Sequence, residues 1–194
     1  MKERPILMTP GNAQKCHDGT KTQTRRIVKY SPVLGEPSEW CARISVPEFT
    51  RIMGDYRRFC PYGVPGDRLW VREPFHICNG AQRWKDGTVL YRGEHGVTVG
   101  GTYVDLAKWT PSIHMPRWAS RITLEITEIR VQRLQAIIPD DARAEGCDDE
   151  ICAKGAFQEL WESINGAGSW AENPWVWCVS FKKGSHEDDG QGAD

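Results

Sequence analysis

The most regular pattern in this sequence runs from Ser120 to Val131, where apolar and polar residues alternate without a break. Ile122, Leu124 and Ile126 are apolar positions of this segment, and hydrophilic side chains stand between them. A period of two is typical of a β-strand with one buried face. We therefore predict a strand here, central to a sheet.

Shorter segments of similar character predict further strands. They cover residues 4–8, 21–28, 68–73 and 175–181, with a short strand near Ala42 to Val46. The turn residues Asp86-Gly87, which stand between Trp84 and the segment Val89 to Tyr91, predict a hairpin.

Helices are predicted at three places. Thr9-Pro10-Gly11-Asn12 can cap a brief helix that runs through Cys16. Pro139 to Gly146 starts with acidic residues and stops at a glycine, and Ala153 to Ile164 carries apolar residues at helical spacing. Separated strands with few, short helices indicate an α+β fold whose sheet is rolled into a small barrel.

The charge balance limits which partners are expected. The 194 residues, enough for one domain, include 25 basic and 26 acidic side chains, a formal net charge of -1. Such a chain has no overall field that would hold it on nucleic acid or on an anionic membrane. Any nucleic-acid contact must come from a local basic patch.

The cysteines and the apolar segments suggest a cytoplasmic protein without a membrane partner. The seven cysteines form no C-x-x-C pair, so we expect no metal site, no cofactor and no disulfide framework. The apolar run Ile6 to Met8 is far shorter than the core of a signal peptide. No segment approaches the roughly 20 apolar residues of a membrane span.

Candidate chemistry is concentrated between Gly19 and Arg26. In a strand that begins at Lys21, Lys21 and Arg25 would lie on one face and Thr24 and Arg26 on the other. A partly desolvated lysine can act as a base and activate a neighbouring hydroxyl, with a carboxylate to balance the charge. From composition alone, a solvated edge strand is the commoner explanation.

A second candidate surface precedes the central strand. Trp118 has Arg117 and His114 close by in the sequence, and an aromatic side chain with adjacent cations can stack a base and hold a phosphate. The alternative is that Trp118 anchors its loop to the barrel.

Four segments, in this order, resemble the ASCH family. They are Gly19 to Arg26, Pro65-Gly66-Asp67 with the strand to Val71, the Ala-x-x-Glu-Gly helix at Ala142 to Gly146, and the final aromatic strand. The resemblance runs from about Ile6 to Lys182. It implies a single PUA-like β-barrel domain, residues 1–183, with short flanking helices and a polar tail at 184–194. Insertions at about 29–64 and 76–117 make the chain similar to the longer ASCH proteins of phages and prophages.

The resemblance also implies a reaction. Compact bacterial ASCH proteins are amidohydrolases that remove the acetyl group from N(4)-acetylcytidine. Their lysine, threonine and glutamate fall on Lys21, Thr24 and Glu145 of this sequence. Thr24 would then supply the nucleophile, Lys21 would take its proton, and Glu145 would assist the departing amine.

Two other functions stay open at this point. The chain could be an RNA-binding module that does not turn over a substrate, or, with less support, a ribonuclease. For binding a modified nucleoside or RNA, the candidate residues are Arg25, Arg26, Arg117, Trp118 and Arg121.

Overall fold

The structure, a computed structural model, describes residues 1–28, 60–78, 88–92, 98–99, 102–103, 109–147 and 152–184. Three sequence predictions lie outside these residues: the short strand near Ala42 to Val46, the hairpin turn with Trp84, and the tail after Gly184. Within the described residues, no helix is long and apolar enough to cross a bilayer.

The described elements confirm the α+β class. The strands are β1 (Glu3–Leu7), β2 (Gln23–Ile27), β3 (Arg68–Arg72), β4 (Phe75–Cys78), β5 (Thr88–Tyr91), β6 (Thr98–Val99), β7 (Thr102–Tyr103), β8 (Thr123–Arg133) and β9 (Trp175–Lys183). The α-helices are α1 (Pro10–Asp18), α2 (Pro139–Ala144) and α3 (Ala153–Asn165). Short 3-10 helices lie at Ser112–His114, Arg117–Ala119 and Leu134–Ala136.

The main sheet has five strands in the order β1-β3-β8-β9-β2. β8, the strand with the longest alternating pattern, is central as predicted. β1 runs parallel to β3, and the other neighbouring strands are antiparallel. Among the described residues β1 and β2 do not pair, so the sheet is open there and no closed barrel is formed.

β9 is buried on both faces, which explains its unbroken apolar sequence. Trp175, Trp177 and Val179 belong to one core cluster, between the faces of the curved sheet. Val176 and Cys178, which alternate with them, belong to a second cluster with residues of α2 and α3. Because successive strand residues point to opposite faces, one strand joins both cores.

The second core depends on α3, whose apolar residues recur every three or four positions. Phe157 and Trp161 are buried against β9, with their ring centroids 6.1 Å apart. Ile164, predicted on the same face, is instead 48% exposed. The helix therefore buries its first turns, while its last turn emerges at the surface.

β2 begins two residues later than predicted. The helix α1 is capped by Thr9 and ends at Gly19, whose φ of 80° favours glycine. The Lys21 amide then donates to the Lys15 carbonyl at 3.0 Å, so Lys21 packs against the end of α1 before the strand starts. The strict alternation predicted from Lys21 was therefore wrong at its first positions.

The strand predicted at Val89 to Tyr91 is present as β5, and its partner among the described residues is β4. β5 pairs antiparallel with β4, in which Phe75 faces Tyr91 and Cys78 faces Thr88. Phe75 is buried with Met115 and Ala119 in a third, smaller cluster. This packing fixes the hairpin against the segment before β8.

Candidate active site

A cavity of about 690 Å³ lies between the two edge strands of the sheet. One wall is formed by residues 5–8, at the end of β1, and another by residues 24–27 of β2. A guanidinium nitrogen of Arg26 donates to the Leu7 carbonyl, and Nη2 lies 3.5 Å from the Met8 sulfur. Arg26 thus links the two edge strands, which do not pair with each other among the described residues, and the cavity lies beside it. Its volume is in the range of small-molecule sites.

Lys21 and Glu145 form a buried ion pair at this cavity. The Lys21 ammonium lies 2.7 Å from Glu145 Oε2 and donates a second hydrogen bond, of 2.8 Å, to the Glu145 carbonyl. The two side chains are 1% and 4% exposed. A charge buried to this degree requires an oppositely charged partner, and Lys21 and Glu145 are partners for each other.

The local backbone explains why Glu145 reaches Lys21. Glu145 ends α2, and Gly146 follows with a φ of 83°, which turns the chain. The Thr22 amide donates to the Ala144 carbonyl at 2.8 Å, and the Lys15 ammonium donates to the Gly146 carbonyl. The end of α2 is therefore bonded to the segment between α1 and β2.

Arg25 extends the ion pair into a network. Its Nη1 donates to Glu145 Oε1 at 3.0 Å and to Gln23 Oε1 at 2.5 Å, and its Nη2 donates to Asp141 Oδ2 at 2.8 Å. The Arg25 side chain is 0% exposed. Its guanidinium also lies 5.6 Å from the centroid of the Phe157 ring. Arg25 also lines the cavity, but its terminal nitrogens are bound to protein groups. The contact with substrate or RNA that the sequence suggested stays a prediction.

Asp141 is the outer carboxylate of the network. Its Oδ1 accepts from Arg130 at 2.9 Å and from the Gln23 amide at 3.3 Å. Desolvation opposes ionisation of Asp141, but the hydrogen bond from Arg130 and the nearby charge of Arg25 outweigh it. They hold the pKa of Asp141 below its usual range. Asp141 is therefore an anion at neutral pH and balances Arg25.

Thr24 supplies a hydroxyl to the same cavity. It is 4% exposed, is paired with Val179 of β9, and lines the cavity with Lys21 and Glu145. Its hydroxyl has no hydrogen-bond partner among the residues that the structure describes. The hydroxyl is thus available to a bound molecule.

Two buried thiols close to the network are poor nucleophiles. Burial raises the pKa of the Cys16 thiol to about 12, and it does the same for Cys178. Because the thiolate is the reactive form of cysteine, neither side chain is activated at neutral pH. In the described ranges, no three His, Cys, Asp or Glu side chains are grouped so as to hold a metal ion.

Part of the cavity lining is apolar and aromatic. It includes residues of α3, which presents Phe157, Leu160 and Trp161, and the phenol of Tyr62. A planar, weakly polar group such as a nucleobase suits these surfaces, while the charged groups suit its polar edge.

The remaining candidate residues lie elsewhere. Arg117, Trp118 and Arg121 do not line this cavity. Arg117 is paired with Glu3 at 2.9 Å, and Arg121 with the buried Glu73 at 2.9 Å. Trp118 is 41% exposed. These three residues therefore do not join Lys21, Thr24 and Glu145.

The sequence analysis missed three members of the network: Gln23, Arg130 and Asp141. A signal for Asp141 was available, because it precedes Glu145 by four residues in a predicted helix, and such residues share one face. Arg130 carried no such signal, since its position depends on how β8 pairs with β9.

Comparisons with known proteins give a structural similarity only. No family model and no curated protein matches the chain. An ASCH domain from Lactobacillus crispatus is similar over 94% of this chain and 79% of that one, with a TM-score of 0.47 and 10% identity. A DUF984 protein from Enterococcus faecalis is similar over 94% and 80% of the two chains, with a TM-score of 0.43 and 9% identity. The first of these structures thus comes from the family that the sequence motifs resemble.

Proposed function

We propose that the chain is an ASCH-type amidohydrolase that removes the acyl group from N(4)-acetylcytidine or a closely related acylated nucleoside. The observation that carries this proposal is the meeting of Lys21, Thr24 and Glu145 at one cavity. These residue types match the lysine, threonine and glutamate of the resembling amidohydrolases.

The charged and the aromatic parts of the cavity lining support a nucleoside substrate. The base would lie against the aromatic residues of α3, with its acylated amine directed to Thr24 and Glu145. Arg26 lines the cavity, and among the described residues it has no acidic partner. A guanidinium without an acidic partner is suited to donate hydrogen bonds to the carbonyl, hydroxyl or phosphate oxygens of a ligand.

The reaction would proceed through an acyl-threonine. As the Thr24 oxygen attacks the acyl carbon, its proton passes to Lys21, which has first given a proton to Glu145 across their 2.7 Å contact. The bond from carbon to the cytosine nitrogen breaks, and Glu145 donates its proton to the leaving amine. Water then hydrolyses the ester, releases the acid and restores Thr24.

Release of cytidine from N(4)-acetylcytidine, followed by chromatography, tests this proposal. We expect turnover by the wild type, a loss of about 100-fold or more in kcat for Thr24→Ala, and partial activity for Thr24→Ser. Thr22→Ala is the matched control, because Thr22 is exposed and its side chain lies outside the cavity lining.

Two outcomes would contradict the proposal. One is a Thr24→Ala variant as active as the wild type. The other is a wild type without turnover that binds RNA at low salt, which would favour an RNA-binding module.

A further inference from the structure

Two pairs of charged residues face each other across the site. Lys21, just before β2, and Arg25, within it, are four residues apart. Asp141 and Glu145 are four residues apart at α2. On a helix this spacing places Asp141 and Glu145 on one face, about 6 Å apart along the axis. Arg25 spans that interval, with one nitrogen on each carboxylate.

The position of the Lys21 amine depends on this arrangement. Lys21 is bonded to Glu145 through both the carboxylate and the carbonyl. Glu145 Oε1 is held by Arg25, so the other oxygen, Oε2, is directed to Lys21. Asp141 in turn holds the second nitrogen of Arg25 and is itself held by Arg130.

We propose that Asp141, through Arg25, is a positioning residue that fixes the Lys21–Glu145 pair for proton transfer. This inference rests on the proposed function for its catalytic consequence. Asp141 does not line the cavity, so it acts on the reaction only through Arg25. Arg25 then has a role inside the protein, since both terminal nitrogens of its guanidinium are bound to protein oxygens.

Arginine is required for this role because of its shape. The guanidinium is planar and presents several donors in a fixed fork, so it can bond two carboxylates at once. A lysine at the same position keeps the charge but presents a single ammonium. Arg25→Lys therefore separates the effect of charge from the effect of geometry.

Neighbouring aspartates on α2 provide a matched test. Asp141→Asn removes the carboxylate that binds Arg25. Asp140→Asn makes the same change one residue earlier, where Asp140 is 85% exposed and pairs only with Arg143 among the described residues. We expect Asp141→Asn to lower kcat about 10- to 100-fold with KM changed less than about twofold. Asp140→Asn should keep both constants. Arg25→Lys should also lose kcat, and it carries the test if Asp141→Asn fails to fold.

A measurement without substrate separates this inference from the proposed function. In NMR spectra, the buried Lys21 ammonium should give a slowly exchanging signal in the wild type and in Asp140→Asn. We expect that signal to broaden or disappear in folded Asp141→Asn and in Arg25→Lys. If the wild type has no turnover but the two variants show these NMR changes, the hydrolase proposal is contradicted and the positioning of Lys21 is supported. The inference would be overturned if the Lys21 signal were unchanged in both variants. It would also be overturned if the wild type were active and both variants kept its kcat.

Discussion

Lys21, Arg25 and Glu145 place three ionised groups where water hardly reaches. Their side chains are 1%, 0% and 4% exposed. Removing charges from water is costly, and the mutual attraction of a buried cluster offsets this only while every partner is present. A cluster of this kind is weak evidence for stability, so its position at a cavity is the more informative property.

Substitution of Glu145 tests this dependence. We expect Glu145→Gln to lower the free energy of unfolding by about 3 kcal/mol, because Lys21 and Arg25 lose their shared carboxylate. The control is Glu125→Gln, whose partner Lys182 is 62% exposed, and it should cost less than about 1 kcal/mol. Urea denaturation measures both values, and equal losses would show that burial contributes nothing to the pair.

At the scale of elements, α2 is attached to the sheet by ion pairs as well as by apolar contact. The helix has six residues and buries Ala142, while Asp141 bonds to Arg25 of β2 and to Arg130 of β8. A helix this short is unstable by itself. Its docking therefore depends on these ion pairs.

Lowering the pH should weaken the docking of α2 on the sheet. The pKa of Asp141 lies below 3.8 in the folded protein, so its contribution to stability is present above about pH 3.8 and is lost as the pH falls through the folded value. We expect the difference in unfolding free energy between wild type and Asp141→Asn to be largest near pH 6. It should shrink as the pH falls through the folded pKa of Asp141, below which both side chains are neutral.

Unfolding by urea at several pH values checks this expectation. Asp140→Asn should show a small difference from wild type throughout this range. A difference for Asp141→Asn that stays constant with pH would mean that its carboxylate is not held as an ion.

At the scale of the whole molecule, the site lies where both edge strands of the described sheet reach one cavity. β1 and β2 are the opposite edges of that sheet, and residues of both line the cavity. Edge strands expose backbone donors and acceptors, and among the described residues β1 and β2 do not pair with each other.

Ligand binding should therefore change both edges at once. We expect cytidine, the product of the proposed reaction, to slow amide hydrogen exchange at residues 6–8 and 24–27. The hairpin strand β5 should not change. Exchange followed by mass spectrometry tests this, and protection confined to the segment with Arg117 and Trp118 would place binding at that surface instead.

The sequence was sufficient for elements with strong local patterns. The alternation before Val131 gave β8, the helical spacing of Phe157 and Trp161 gave α3, and turn residues gave the end of α1 at Gly19. Each of these signals lies within a few residues of the element it specifies. The start of β2 was wrong because Lys21 is held by contacts with Lys15 and Glu145, which local pattern does not contain.

What the sequence by itself determined was the class of fold and most element positions, and it supplied Lys21, Thr24 and Glu145 as candidate site residues. Only the tertiary structure decided that Lys21 and Glu145, 124 positions apart, form one ion pair, and that Asp141 and Arg25 support it. Local periodicity depends on near neighbours in the chain. Strand order and helix docking instead depend on burying two cores together, and that packing determines which distant charges meet.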